Sequence, residues 1–287
     1  MRGFRIGSFK LMLGASVAML SSPAMAIEHV DLKLVLVTDV SGSISNDELW
    51  LERRGTAAAF LYPDVIRAIE GGALGRIAVA MIDFSSPGFG KTVIDWRIIH
   101  DRASASELAQ AILKIPRTPG NRTSISNALE LGAELIRSSE TEIVATRKVI
   151  DIAGDGPNND GNSIGPVHQR VMAQGIAVNG LAIMDENANG YFPNLDKYYQ
   201  ACVAGGATAF VIVARSFWDF GVAMRRKLIL EISEAENRIK LAKIENNRMS
   251  LLTPVAAAAP ASPPLLRPER NEYSNACTIP DESRQLR

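Results

Sequence analysis

The stretch Leu32–Thr38 is almost continuously apolar and stops at a carboxylate, Asp39. A strand without polar alternation has to be covered on both faces, which calls for a parallel-type sheet between two layers of helices. The rest of the chain supplies those layers. Arg76–Asp83 reads as a second buried strand and Lys91–Trp96 as a third at a sheet edge; Arg147–Ala153, Ile176–Ile183 and Ala209–Val213 read as further strands. Helical patterns lie between them. One runs over Asn46–Glu70, with Ser45 or Asn46 as cap, Asp47 and Glu48 in its first turn, and Gly71-Gly72 ending it. A capping box, Ser104-Ala-Ser-Glu107, opens another that stops before Pro116. Ile125–Arg137, Pro166–Gln174, a segment near Leu195–Val203 and a long helix from Phe217 to Glu231, with room to continue to Asn247, follow. Strands alternating with helices predict an α/β fold: a Rossmann-like, doubly wound, mostly parallel sheet flanked by helices.

In such sheets ligands bind beyond the carboxyl ends of the strands. Asp39 lies at one such end, in Asp39-Val-Ser-Gly-Ser43, and Asp155 at another, in Ala153-Gly-Asp-Gly156. Thr123 lies in the connecting segment Gly120-Asn-Arg-Thr-Ser124, at the start of a helix. One carboxylate and two hydroxyls at alternate positions form D-x-S-x-S, an all-oxygen set suited to a hard divalent cation. The plain alternative is a strand-end turn whose serines satisfy backbone groups.

The three segments together resemble the von Willebrand factor A domain. That family carries a metal-ion-dependent adhesion site made of D-x-S-x-S, a distant Thr and a distant Asp. Asp39, Ser41 and Ser43 match the first element, Thr123 the second and Asp155 the third, in the family's order. The resemblance spans roughly Asp31 to Glu234 and is greatest to bacterial secreted proteins of unassigned function. It implies Mg²⁺, or Mn²⁺ or Ca²⁺, held directly by the hydroxyls of Ser41, Ser43 and Thr123 and mainly through water by Asp39 and Asp155. It also implies a partner protein whose Asp or Glu completes the shell, and a binding module that is not an enzyme. Gly154 departs from the pattern, since the family often has Thr before the Asp. Two rivals stand beside this reading. One is a metal-dependent enzyme, or the metal-binding subunit of an envelope enzyme, acting by phosphoryl transfer or hydrolysis through Asp39 with Asp83 as second acid. The other is a structural envelope protein with a vestigial site.

The amino terminus has the layout of a secretory signal. Arg2, Arg5 and Lys10 precede the apolar run Leu11–Leu20, and Ala24-Met25-Ala26 has the small-x-small form of a cleavage site. The run is too short to span a bilayer comfortably, and no later segment of the mature chain is long and apolar enough. The expected organisation is a signal peptide over 1–26, a von Willebrand A-like domain over 27–236, a helical extension over 237–252, and a Pro/Ala-rich linker with a polar tail over 253–287. The expected location is periplasmic or secreted. Loss of the three basic residues leaves the 31 acidic ones in excess, which argues against a nucleic-acid partner. Cys202 and Cys277 are the two cysteines. In an oxidising compartment they form a disulfide or remain as two buried thiols, and the sequence leaves both open.

Other patterns carry less. Asp185-Glu-Asn-Ala-Asn-Gly190 with Asp196 runs close to a calcium loop, with Asp185, Asn187, Asn189 and Asp196 at ligand positions. Pro193 intrudes, Asp replaces Glu at the last position, and a strand precedes it, so an Asn/Gly-rich turn competes. Ser85–Thr92 ends like a phosphate loop but begins with Ser where Gly is required and leads into a strand. No G-x-S-x-G elbow is present. His29, His100 and His168 are scattered, without zinc spacing.

Overall fold

The structure, a computed structural model, describes residues 27–118, 120–186, 192–206, 208–233, 265–266 and 277. The first strand, β1 (Glu28–Asp39), runs through the middle of the sheet and is buried along nearly its whole length. On its two sides lie β2 (Ile77–Phe84) and β4 (Ile143–Gly154), both parallel to it. β5 (Ile176–Ile183) and β6 (Val211–Ala214) extend the parallel sheet beyond β4. The edges are antiparallel: β3 (Gly90–Ile99) against β2, and the two-residue β7 (Leu265–Leu266) against β6. The order is β3-β2-β1-β4-β5-β6-β7 among the described residues. This is the doubly wound order, in which the chain changes winding direction between β1 and β4. The predicted α/β class is the observed one.

Side-chain alternation along β1 feeds two cores. Leu32, Leu34 and Leu36 pack with α1 (Asn46–Phe60), α2 (Pro63–Glu70), α3 (Arg102–Ile112) and α7 (Phe220–Ile232). Val35 and Val37 pack on the other face with α4 (Ile125–Ser138), α5 (Ile164–Met172) and α6 (Leu195–Tyr198), which continues as a π-helical turn, Tyr199–Val203. A buried ionic group ties α7 to the sheet: Lys227 Nζ lies 2.7 Å from Asp151 Oδ1 of β4 and 2.5 Å from Glu231 Oε1. Asn179 of β5 donates to the same Glu231 oxygen at 2.8 Å.

Several boundaries differ from expectation for local reasons. The helix expected over Asn46–Glu70 is two helices, because Pro63 starts α2 as its first residue and its ring forces Tyr62 into an extended conformation. Ser45 caps α1 through a full capping box with Glu48. The box opening α3 is one turn earlier than expected: Asp101 is the cap and Ser104 its N3 partner. Thr123 does not itself cap α4; Ser124 does, accepting from Asn127 N. Leu265–Leu266, inside the segment expected as linker and tail, pairs with β6, and Cys277 is joined to Cys202 by a disulfide. The signal segment 1–26 and the extension 237–252 lie outside the described residues. Among those described, no helix is long and apolar enough to cross a membrane.

Candidate metal centre

β1 and β4 are neighbours, so their carboxyl ends bring Asp39 and Asp155 to one place at the winding reversal. That is where an open α/β sheet leaves a crevice. Three loops close over it, and hydrogen bonds lock them together. Gly42 N donates to Asn121 O at 2.8 Å and Gly120 N to Val40 O at 2.9 Å, joining the loop after β1 to the segment before α4. Thr123 N donates to Asn159 Oδ1 at 2.9 Å, and Asn159 N returns to Thr123 O at 2.9 Å, joining that segment to the loop after β4. Gly120 has to be glycine, since a Cβ there would lie 2.2 Å from Ser85 Oγ and 2.8 Å from Val40 O.

The functional side chains converge within this frame. Ser41 N donates to Asp39 Oδ1 at 2.8 Å. Ser41 Oγ and Ser43 Oγ are 3.1 Å apart, and Ser43 Oγ donates to Asp155 Oδ1 at 3.0 Å. Thr123 Oγ1 faces the same ring, 3.7 Å from where a Cβ on Gly156 would be. Asp39 Oδ2 and Asp155 Oδ2 have no hydrogen-bond partner although both are buried. Burial, then the charge of Asp155, pushes the Asp39 carboxyl up to about 8, only partly offset by the Ser41 N–H and the hydroxyls of Ser41 and Thr123. Burial holds Asp155 at about 6, with Ser43 pulling the other way.

This donor set fits a hard divalent cation. Two orphaned carboxylate oxygens repel each other across a dry site, and a positive charge between them removes both costs. The spacings also match: cis oxygens around Mg²⁺ at roughly 2.0–2.1 Å sit about 2.9 Å apart, close to the separations among Ser41, Ser43 and Asp155. Asp39, Ser41, Ser43, Thr123 and Asp155 are therefore the residues able to hold such an ion.

A layer beneath the ring was not anticipated. Glu52 and Arg53 of α1 point into the core. Arg53 pairs with Asp83 at the end of β2 and reaches Thr38 Oγ1 at 3.5 Å. Asp83, the second acid of the enzymatic reading, is thus already neutralised by an arginine. Glu52 has neither carboxylate oxygen partnered, and burial raises it well above the carboxylate range; Arg53 compensates in part, while Asp155, Asp39 and Asp83 add to the rise. Leu49, Glu52, Arg53, Thr56 and Phe60 are all buried positions of α1, so two charges stand among core residues. Ser85 is a second omission. Its hydroxyl donates to Arg122 O at 2.6 Å and accepts from Asn121 N at 2.8 Å, shaping the Thr123 segment. Asn158 does comparable work, accepting from Ser126 N at 2.9 Å. Tyr199, whose hydroxyl is buried beside Asp39 and Asp155, had no sequence signature at all.

The other nominated residues are elsewhere. Asp185 accepts from Phe217 N at 3.3 Å, holding the β6–α7 loop, and Asp196 sits in the first turn of α6. Asn187 and Asn189 lie outside the described residues. The Ser85–Thr92 segment is a turn leading into β3, with no helix start at its end.

The sequence profile of a family described as "Protein of unknown function (DUF1194)" matches residues 29–236. A search of curated proteins finds no match. Among solved structures, proximal thread matrix protein 1 from the mussel byssus (crystal form 2) is similar with a TM-score of 0.54 and 16% identity, over 72% of this chain and 49% of that one. The same mussel protein with a zinc-occupied MIDAS motif gives 0.49 and 17%, over 71% and 46%. A von Willebrand factor type A structure from Catenulispora acidiphila gives 0.48 and 13%, over 70% and 42%. The chain thus spans about half the length of the solved structures it matches.

Proposed function

We propose that this chain, which belongs to the DUF1194 family of proteins of unknown function and has the von Willebrand A fold, is an exported module that captures a protein partner through a divalent cation. Asp39, Ser41, Ser43, Thr123 and Asp155 would hold the ion, with Mg²⁺ first and Mn²⁺ or Ca²⁺ as alternatives. Bound there, the ion would supply a coordination position for an Asp or Glu of the partner. The observation that carries this reading is the pair of buried carboxylates, each with an oxygen lacking any partner, ringed by hydroxyls at the mouth of the sheet.

The chain's own residues account for the rest. The loop-to-loop hydrogen bonds fix the ring before any ligand arrives, so little ordering has to accompany binding. Neutral hydroxyls contribute oxygens without cancelling the ion's charge. An enzymatic role through Asp39 is disfavoured, because the residue is 0% exposed and one of its oxygens is held by Ser41 N. The signal-like segment at 1–26 supports export, and the acidic excess of the remainder speaks for a protein partner over nucleic acid.

The test is a calorimetric titration with Mg²⁺ and Mn²⁺, followed by capture of partners from an envelope extract with and without chelator. Wild type should bind the ions, Asp39→Ala and Asp155→Ala should not, and capture should vanish in chelator, in Thr123→Ala, and when one acidic residue of the captured partner is changed to its amide. Capture that persists in chelator and in Thr123→Ala would mean recognition by another surface.

A further inference from the structure

Gly154 precedes Asp155, and the space over it is taken. A Cβ at this position would lie 3.0 Å from Asp39 Cβ, 3.0 Å from Tyr199 Oη and 3.1 Å from Asp39 Oδ2. The phenol oxygen and the carboxylate oxygen therefore flank one point above β4. Neither has a hydrogen-bond partner. Tyr199 is wholly buried, and it comes first among the largest fully buried side chains. Its ring lies across the sheet toward β5, where a Cβ on Gly180 would come within 2.7 Å of Tyr199 Cδ1. Two glycines on neighbouring strands thus make room for one ring.

A buried hydroxyl without a partner keeps the full cost of its desolvation. Phenylalanine would fill nearly the same volume without that cost, so packing does not account for the oxygen. A phenol is a donor at neutral pH, and an ionised carboxylate is an acceptor. The turn that carries Tyr199 is anchored from both sides. Asn158 N donates to Tyr198 Oη at 3.2 Å, and Cys202 in the same π-helical turn is bonded to Cys277. π-Helical turns of this kind recur at functional sites.

We propose that Tyr199 is a positioning residue of the cation centre: its hydroxyl donates to Asp39 Oδ2 and so holds the carboxylate in the orientation the ion requires. This rests on the proposed role of the five residues in holding a cation. Outer groups of this kind fix ligand orientation, and their loss costs on the order of 10–100-fold in metal affinity.

The experiment is Mn²⁺ binding followed by the spin-resonance signal of the free ion, with thermal melts in chelator, on wild type, Tyr199→Phe and Asp39→Ala. Tyr199→Phe should bind Mn²⁺ about tenfold or more weakly, while its melting temperature in chelator stays equal to or above that of wild type, since an unpaired hydroxyl has gone. Gly154→Ala gives a second measurement: it should weaken binding in the wild-type background and less so when combined with Tyr199→Phe, where the phenol oxygen no longer crowds the added methyl. Wild-type binding with an unchanged affinity in Tyr199→Phe would overturn the role of Tyr199 alone. A lower melting temperature with unchanged affinity would reduce Tyr199 to packing. Failure of wild type itself to bind Mn²⁺ would remove both this inference and the function it rests on.

Discussion

Replacing Asp39 by asparagine should make the metal-free protein more stable, and the gain should grow with pH. The folded chain holds the Asp39 carboxyl at about 8 against an ordinary value of 3.8. A folded-state value raised in this way means that the native state binds the proton more tightly than the unfolded state. Native stability is then greatest near and below 3.8 and is lost as pH climbs toward 8. Each unit of that interval costs at most about 1.4 kcal/mol, so the ceiling at pH 7.5 is about 5 kcal/mol. Relaxation and water entry reduce this to on the order of 2–3 kcal/mol. The introduced amide would keep an oxygen for the Ser41 N–H and would remove the buried charge. For a domain of this size, 2–3 kcal/mol is roughly 5–10 °C in melting temperature. The assay is a set of thermal melts in chelator between pH 4 and 8. Asp39→Asn should match wild type at pH 4 and melt higher at pH 8. With Mg²⁺ at a thousand times Kd the order should reverse, because only wild type gains the binding term, about 4.1 kcal/mol. A variant that melts at or below wild type in chelator at pH 8, or a gain that is flat with pH, would refute the account of Asp39 as an uncompensated buried charge.

Lys227→Met should cost about 3–5 kcal/mol by leaving Asp151 and Glu231 buried without their cation; chemical denaturation would measure it, and a loss below about 1 kcal/mol would mean that the group is neutral in the fold. Cys202→Ser should lower stability in chemical denaturation by up to about 4.5 kcal/mol, the chain-entropy value for a cross-link over 75 residues; a change confined to the thiol count would show that the cross-link adds nothing to the domain.

The α/β class was legible because it rests on local, strongly patterned signals, whereas the grouping of Asp39, Ser41, Ser43, Thr123 and Asp155 came from the family resemblance. The apolar run ending at Asp39 fixes strand, burial and position of the carboxylate together, and Asp155 repeats the arrangement. Ends of elements were less legible. Pro63 interrupts an apolar periodicity that otherwise continues, and Asp101 competes with Ser104 as a cap within one turn. The supporting residues were the hardest to see. Glu52 and Arg53 look like ordinary helix-surface charges until Arg53 is seen to pair with Asp83 at the end of β2. Tyr199 reaches Asp39 over a separation in sequence that no periodic pattern encodes, and only the glycines at 154 and 180 hint that something large lies above the sheet.

The two margins of the sheet are guarded by unlike means. β3 protects its own free edge, with Lys91, Asp95 and Arg97 set along it as charges that discourage a second chain from adding a strand. β6 has no such charges: Val211–Ala214 is apolar and buried, and its outer edge is covered by Leu265–Leu266. That cover comes from a segment about fifty residues further along the chain. A chain cut before Leu265 should therefore carry an open apolar strand edge, the kind that invites pairing with a second chain.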